Sequence, residues 1–366
     1  MTVKLFEPFT LRNIELANRI VVAPMCQYSA VDGEPQPWHY QHYGAMAVSW
    51  PGLTVIEATG VLPEGRISDS CLGLWDDVTE AAMADLVATL KSYAPGAIGL
   101  QLNHAGRKGG FTKPWMSTVP ATPHWKVWAP SAIPFSDGSL TPQALDETEM
   151  ERIKAAFVTA VGRADRIGID VIELHSAHGY LLHQFLSPLS NQRNDAYGGS
   201  LENRMRFPLE VVRAARAALP ENRPLGIRIS ATDWTDGGLT LDESVEYAKR
   251  LKDAELDFIC VSSGGNVPDA KIPTGPGYQV HLSQRIRKEV GIATRTVGMI
   301  ANPQQAEDIL QAGDADMIAL ARGFMDDPRW PMHAAEALGA KIAYPSQYLR
   351  AAPIIWPGAK LARPKE

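Results

Sequence analysis

Glu173-Leu174-His175-Ser176-Ala177-His178-Gly179-Tyr180 places two imidazoles and a phenol directly behind the largely apolar run 169–172. Two neutral histidines can donate hydrogen bonds to one oxygen, and a phenol beside them can deliver a proton. The group suits polarising a carbonyl-like oxygen and protonating a neighbouring atom. Metal ligation by His175 and His178 is the competing reading. The nearest third imidazole, His183, is expected in the following loop and matches no known ligand spacing, so no metal is expected.

Short β-rich runs must carry these groups. Strands are expected over 20–23, 53–57, 98–102, 170–174, 225–229, 258–261, 294–297 and 317–320. Amphipathic stretches over 79–92, 148–167, 201–218, 241–254, 282–290 and 303–312 lie between them. Asp146 or Thr148 can start the second helix, and Pro303 sits just inside the sixth. Eight strands with intervening helices predict an α/β fold, a (β/α)8 TIM barrel, whose usual length is ~250 residues before insertions. A doubly wound open sheet would carry a glycine-rich turn after its first strand, where this chain has Pro24-Met25-Cys26-Gln27-Tyr28. Three parts exceed the basic barrel, which is read as one domain over 1–366. Residues 1–18 hold a hairpin over 10–16 that can plug the barrel floor. Residues 109–146, rich in Pro, Trp and Ser, form a lid-like insertion. Residues 343–366 read as a C-terminal arm.

The C-terminal ends of barrel strands are where substrate and cofactor groups collect. Here they present Pro24, Met25, Cys26 and Tyr28, then Ala58, then Gln101, then the histidine cluster, Arg228, Ser262-Ser263-Gly264-Gly265, Gly298, and Ala321-Arg322-Gly323. Gln101 is either a satisfied core amide or a bidentate partner for a heterocycle edge. Arg228 is either an ion-pair partner or a fixed charge beside a ring that becomes anionic on reduction. Gly298 with Ala321 and Arg322 is either simple turn chemistry or, at the seventh and eighth strands, a phosphate cradle. Cys26 is either a small hydrophobe or a cofactor contact. Together the set suits a phosphorylated heterocyclic redox cofactor lying across the barrel mouth.

The chain has 366 residues, is 45% apolar and carries a net charge of −6 with no basic block, which argues against nucleic acid or an anionic membrane as partner. No apolar run approaches the ~20 residues that span a bilayer. Residues 1–8 lack a signal-peptide core, and Cys26, Cys71 and Cys260 are an odd, widely spaced trio, so a reducing cytoplasm is expected.

Residues 19–28 (RIVVAPMCQY), 101–108 (QLNHAGRK), 173–180 (ELHSAHGY), 187–206 (SPLSNQRNDAYGGSLENRMR) and 321–323 resemble the Old Yellow Enzyme family of flavin-dependent ene reductases. Cys26 and the tail around residues 347–350 resemble its thermophilic-like bacterial subgroup. The resemblance implies bound FMN and a ping-pong, NADPH- or NADH-driven reduction of small activated alkenes, with hydride passing through flavin N5. Carried over, Pro24, Met25, Cys26 and Ala58 would line the flavin, Gln101 and Arg228 would bond its pyrimidine edge, and Gly298, Ala321 and Arg322 would hold its phosphate. His175 and His178 would bind the substrate oxygen, Tyr180 would donate the proton, and Tyr28 would pack over the substrate. A homodimer or homotetramer is implied, with Tyr348 and Arg350 reaching a neighbouring subunit's site. The residues alone leave two other readings open: another FMN barrel enzyme such as a dihydroorotate-type dehydrogenase, and a flavin-free barrel hydrolase or lyase.

Overall fold

A computed structural model describes residues 2–116 and 125–363. A short antiparallel hairpin, β1 (Phe9–Leu11) and β2 (Ile14–Leu16), turns at Arg12, whose φ is 50°. Then come β3 (Ile20–Val22), α1 (Pro37–Ala47), β4 (Leu53–Gly60), α2 (Asp77–Lys91) and β5 (Ala97–Asn103). The insertion contributes β6 (Trp128–Ala129) and β7 (Gln143–Ala144), and α3 (Glu147–Arg166) leads to β8 (Val171–Ser176). The second half runs α4 (Leu181–Leu186), α5 (Leu201–Ala218), β9 (Leu225–Ser230), α6 (Leu241–Asp253), β10 (Phe258–Ser262), α7 (Val280–Val290) and β11 (Ala293–Thr296). It closes with α8 (Pro303–Ala312), β12 (Met317–Leu320), α9 (Arg322–Asp326), α10 (Trp330–Leu338), a 3-10 turn (Ser346–Ala351) and α11 (Ala359–Ala362).

Eight parallel strands close in the order β3-β4-β5-β8-β9-β10-β11-β12. This is the expected TIM barrel, built on the eight apolar runs. Parallel strands covered by helices are buried on both faces, so their sequences are continuously apolar rather than alternating. Inside the barrel Val21, Leu53, Val55, Val171, Phe258 and Met317 form one apolar cluster with Leu11 and Leu16. The hairpin thus stoppers the floor.

Helix ends follow their caps. Asp146, rather than Thr148, starts α3 by accepting from the Glu149 amide at 2.9 Å. Pro303 opens α8, which stops at Gly313 with φ 75°. At α2 the Asp76 carboxylate accepts from the Thr79 amide at 2.8 Å. Asp76→Ala should cost about 1 kcal/mol of stability, read as a lowered urea midpoint at unchanged slope. One helix defeats the hydrophobic pattern. The buried face of α1 carries His39, His42 and Tyr43 beside Met46 and Ala47, so its residue types read as polar.

The insertion over 109–146 is anchored at the parts described. Arg193 donates to the carbonyls of Pro130 (3.1 Å) and Leu145 (2.6 Å), and Phe135 lies 4.4 Å under the Lys108 ammonium. Residues 117–124 of the expected lid and 364–366 of the expected arm lie outside the described residues. Among the described residues no helix is long and apolar enough to cross a membrane.

Candidate active site

β8 delivers His175 at its end, and the chain then turns through Ala177-His178-Gly179-Tyr180 into α4. His183 therefore belongs to a helix, not to the loop expected for it. The turn is left-handed at two consecutive residues, His178 (φ 57°) and Gly179 (φ 74°). A left-handed histidine is costly, so surrounding bonds must hold it. Ser230 Oγ accepts from the His178 amide at 2.9 Å, and His183 Nδ1 accepts from the Gly179 amide at 2.9 Å. Gln184 donates to the Gly179 carbonyl at 2.6 Å. Lys108 Nζ donates to the carbonyls of His178 and Gly265, both at 2.9 Å. His183 is itself held by Asp233 at 3.1 Å.

The chemistry-bearing rings converge. His175 stands edge-on to Tyr180 at 4.7 Å between centroids and to His178 at 5.2 Å. His175 Nδ1 accepts from the Ala177 amide at 3.2 Å, so its proton sits on Nε2. His178 Nε2 meets Ser262 Oγ at 2.8 Å, and the same hydroxyl lies 3.3 Å from Gln279 Oε1. Burial first, and then the Arg228 charge, push both imidazoles well below their ordinary range, so they are neutral donors at neutral pH. Burial pushes the Tyr180 phenol well up, and it stays protonated. Burial, assisted by Arg107, brings Lys108 down to about 8.

A sign follows for pH. Protonating His175 would put an N–H on Nδ1 against the Ala177 N–H and break that bond. Affinity for a non-titrating ketone should stay flat from about pH 8 to about 6.5 and fall only in more acid solution. Calorimetric titration across pH checks this, and a fall centred at the ordinary histidine value would contradict it.

Beside His178 opens a cavity of about 850 Å³, lined among others by Arg228, Ser263, Gly298, Ala321 and Arg322. Its size lies in the usual range for cofactor sites. Three features fit a phosphorylated flavin. Arg228 Nε is buried and has no hydrogen-bond partner among the described residues. Gly298 lines the cavity at φ 115°, and a Cβ there would lie 2.7 Å from Gln279 Nε2, so the close approach requires glycine. Ala321 and Arg322 begin α9 at the end of β12, where barrels bind phosphate.

The remaining expected residues flank that cavity rather than line it. Ala58 packs with Ile67, Cys71 and Ala105, and Cys26, Tyr28 and Tyr180 close over this second cluster. Ala58 is the register partner of Gln101, and His175 that of Arg228, so neighbouring strands join the two halves. Met25 is buried behind the β3 exit with Val22 and Leu320, and Pro24 precedes it. Tyr348 and Arg350 are not brought to this site. Both lie in the 3-10 turn, Arg350 exposed and Tyr348 half-buried, with Tyr348 stacked under Arg329 at 4.5 Å.

Sequence reasoning passed over several neighbours. Cys71 hydrogen-bonds to Cys26, and this bond and burial push the Cys26 thiol up. For Lys108 the usable signal is a lysine next to an arginine at a strand exit. Ser230, ending β9, is signalled by the same strand-end rule that found His175 and Ser262.

Known proteins resemble this chain over most of its length. Residues 4–340 match the model of the NADH:flavin oxidoreductase / NADH oxidase family. An NADPH dehydrogenase of Geobacillus thermodenitrificans is 47% identical over 352 residues, covering 96% of this chain and 99% of that protein. One from Bacillus subtilis is 42% identical with the same coverage. Among solved structures, morphinone reductase in complex with tetrahydroNAD is similar at a TM-score of 0.76 and 29% identity, covering 93% of this chain and 92% of that one. The chain belongs to the NADH:flavin oxidoreductase / NADH oxidase family and is an FMN oxidoreductase reduced by a nicotinamide nucleotide.

Proposed function

We propose that the protein is an ene reductase that reduces C=C bonds activated by a conjugated carbonyl, imide or nitro group. One observation carries the reading: two neutral imidazoles and one protonated phenol share a corner of the barrel mouth beside the Arg228 cavity. When bound, FMN supplies the redox chemistry, taking two electrons from the nicotinamide nucleotide in one half-reaction and yielding them to the alkene in the other. The chain's own residues do the rest. His175 and His178 donate their N–H groups to the electron-withdrawing oxygen and draw charge away from the distal alkene carbon. Tyr180 delivers its phenolic proton to the adjacent carbon. Gln101 and Arg228 bind the pyrimidine edge of the cofactor. Pro24, Met25, Cys26 and Ala58 border its ring, and Gly298, Ala321 and Arg322 take its phosphate. Tyr28 packs over the substrate.

Tyr348 and Arg350 lie outside their own chain's site, which suits a role in a neighbouring subunit of a homo-oligomer. Truncation before Tyr348 should then alter substrate KM as well as the mass in solution.

The test is stopped-flow measurement of both half-reactions against an enone, a maleimide and a nitroalkene. Fast reduction of the enzyme by NADPH without turnover of any of the three would reject the proposal. A second measurement addresses the clamp. A phenolate oxygen mimics the substrate oxygen, and losing one charge-assisted hydrogen bond costs about 1.5–3 kcal/mol. His175→Ala should therefore weaken phenol binding by roughly 10- to 100-fold, seen in spectral titration of the oxidised enzyme. Unchanged affinity would remove His175 from the clamp.

A further inference from the structure

Inside the barrel, above the apolar cluster of the floor, three strands place Gln101, Glu173 and Arg295 together. Gln101 Nε2 donates to Glu173 Oε1 at 2.7 Å, and the other carboxylate oxygen, Oε2, accepts from Arg295 Nη2. Gln101 and Glu173 are register partners on adjacent strands. Arg295 is on β11, separated from β8 by β9 and β10, so its side chain crosses the lumen. All three side chains are buried, Arg295 completely.

Stability does not account for this arrangement. Burying an ion pair costs several kcal/mol of hydration, and well-packed apolar substitutes are often as stable or more so. Arg295 adds to that cost, because its Nε and Nη1 have no partner among the described residues. The surroundings are nevertheless built for it. The guanidinium stacks on the Phe258 ring at 5.2 Å. That ring occupies the space beside Gly226, where a Cβ would lie 2.2 Å from it. Gly226 is in turn the register partner of both Glu173 and Phe258.

We propose that Glu173 and Arg295 are a positioning pair that sets which end of the Gln101 amide faces the flavin. The proposal rests on the reading of Gln101 as a pyrimidine partner. A primary amide has a donor end and an acceptor end of nearly equal shape, and nothing in its packing distinguishes them. A carboxylate can only accept. Glu173 therefore claims one N–H of Gln101 and turns Oε1 away from itself. The amide then presents an acceptor and its second N–H side by side, the complement of a pyrimidine edge that alternates N–H and carbonyl oxygen. Arg295 holds the Glu173 carboxylate in that geometry and balances its charge beneath a cofactor that gains negative charge on reduction. Neither residue touches the reacting atoms.

The experiment compares wild type with Glu173→Gln/Arg295→Met and Glu173→Leu/Arg295→Met, which remove the carboxylate without stranding the guanidinium. FMN affinity is read by flavin fluorescence on reconstituting the apo-protein, and the midpoint potential by dye-linked reduction. A misturned amide would set an oxygen against a carbonyl oxygen of the ring, and the penalty grows as that ring becomes anionic. We expect FMN binding about tenfold weaker in the oxidised state and a further tenfold weaker in the reduced state, a potential lowered by about 30 mV for a two-electron couple. Damage to the fold alone would weaken both states equally and leave the potential unmoved. Wild-type affinity and potential in a folded double variant would overturn the proposal, and so would equal weakening of both states.

Should neither double variant fold, the wild type still decides. The Gln101 side-chain amide, identified by its loss in Gln101→Met, should already have one proton shifted downfield by the carboxylate in the apo-protein and unmoved by FMN, while its other proton moves on FMN binding. Both protons at ordinary glutamine shifts in the apo-protein, or both moving on FMN binding, would overturn the pair's role. A wild type that takes up no FMN would instead defeat the flavin assignment itself.

Discussion

Tyr180→Phe should slow alkene reduction by about 10²- to 10⁴-fold while leaving reduction of the enzyme by NADPH nearly unchanged. The range is that of losing a positioned general acid. The substitution is conservative for packing: Tyr180 lies against Ala58, Ile67, Cys71 and Ala105 and edge-on to His175, contacts that a phenylalanine ring keeps. Only the O–H is removed. That O–H is held protonated by burial, so at neutral pH the whole population is competent to donate. The nicotinamide half-reaction needs no proton from this side chain. Anaerobic stopped-flow traces of each half-reaction separate the two outcomes. A comparable loss in both would mean that the ring shapes the site rather than supplying a proton.

Gly179→Ala should be the most damaging single methyl in the site. Its φ of 74° is left-handed, which costs an L-residue about 1–2 kcal/mol. The new Cβ would also lie 2.3 Å from the Gly265 carbonyl oxygen and 2.7 Å from the Asn266 Cα, both of them backbone atoms. Overpacking of that kind adds about 1–3 kcal/mol. We expect roughly 3 kcal/mol lost in urea unfolding and phenol affinity reduced more than tenfold, because the turn that must move carries both His178 and Tyr180. Lost stability with intact phenol binding would show that the turn's strain has no bearing on ligand geometry.

Most of the barrel was legible because parallel strands shielded on both faces leave uninterrupted apolar runs, and the run over 317–320 has the same bounds as β12. The groups at the strand ends were legible by position alone, since His175 and Gly298 each follow such a run and Arg228 lies near the end of one. What stayed hidden depends on proximity between strands. Cys26 and Cys71 meet because the β3 exit lies beside the segment after β4, which no local pattern announces. Glu173 and Arg295 sit inside strands, where each reads as an isolated charge in an apolar run until the closed sheet brings them together. Helix α1 was lost for the opposite reason, its core side chains being imidazoles and a phenol.

Leu11 and Leu16 close one end of the cylinder, so reactants share a single doorway at the other. Reductant and acceptor must queue for it. Raising the nicotinamide nucleotide should eventually slow turnover by crowding out the alkene, an inhibition that added alkene relieves.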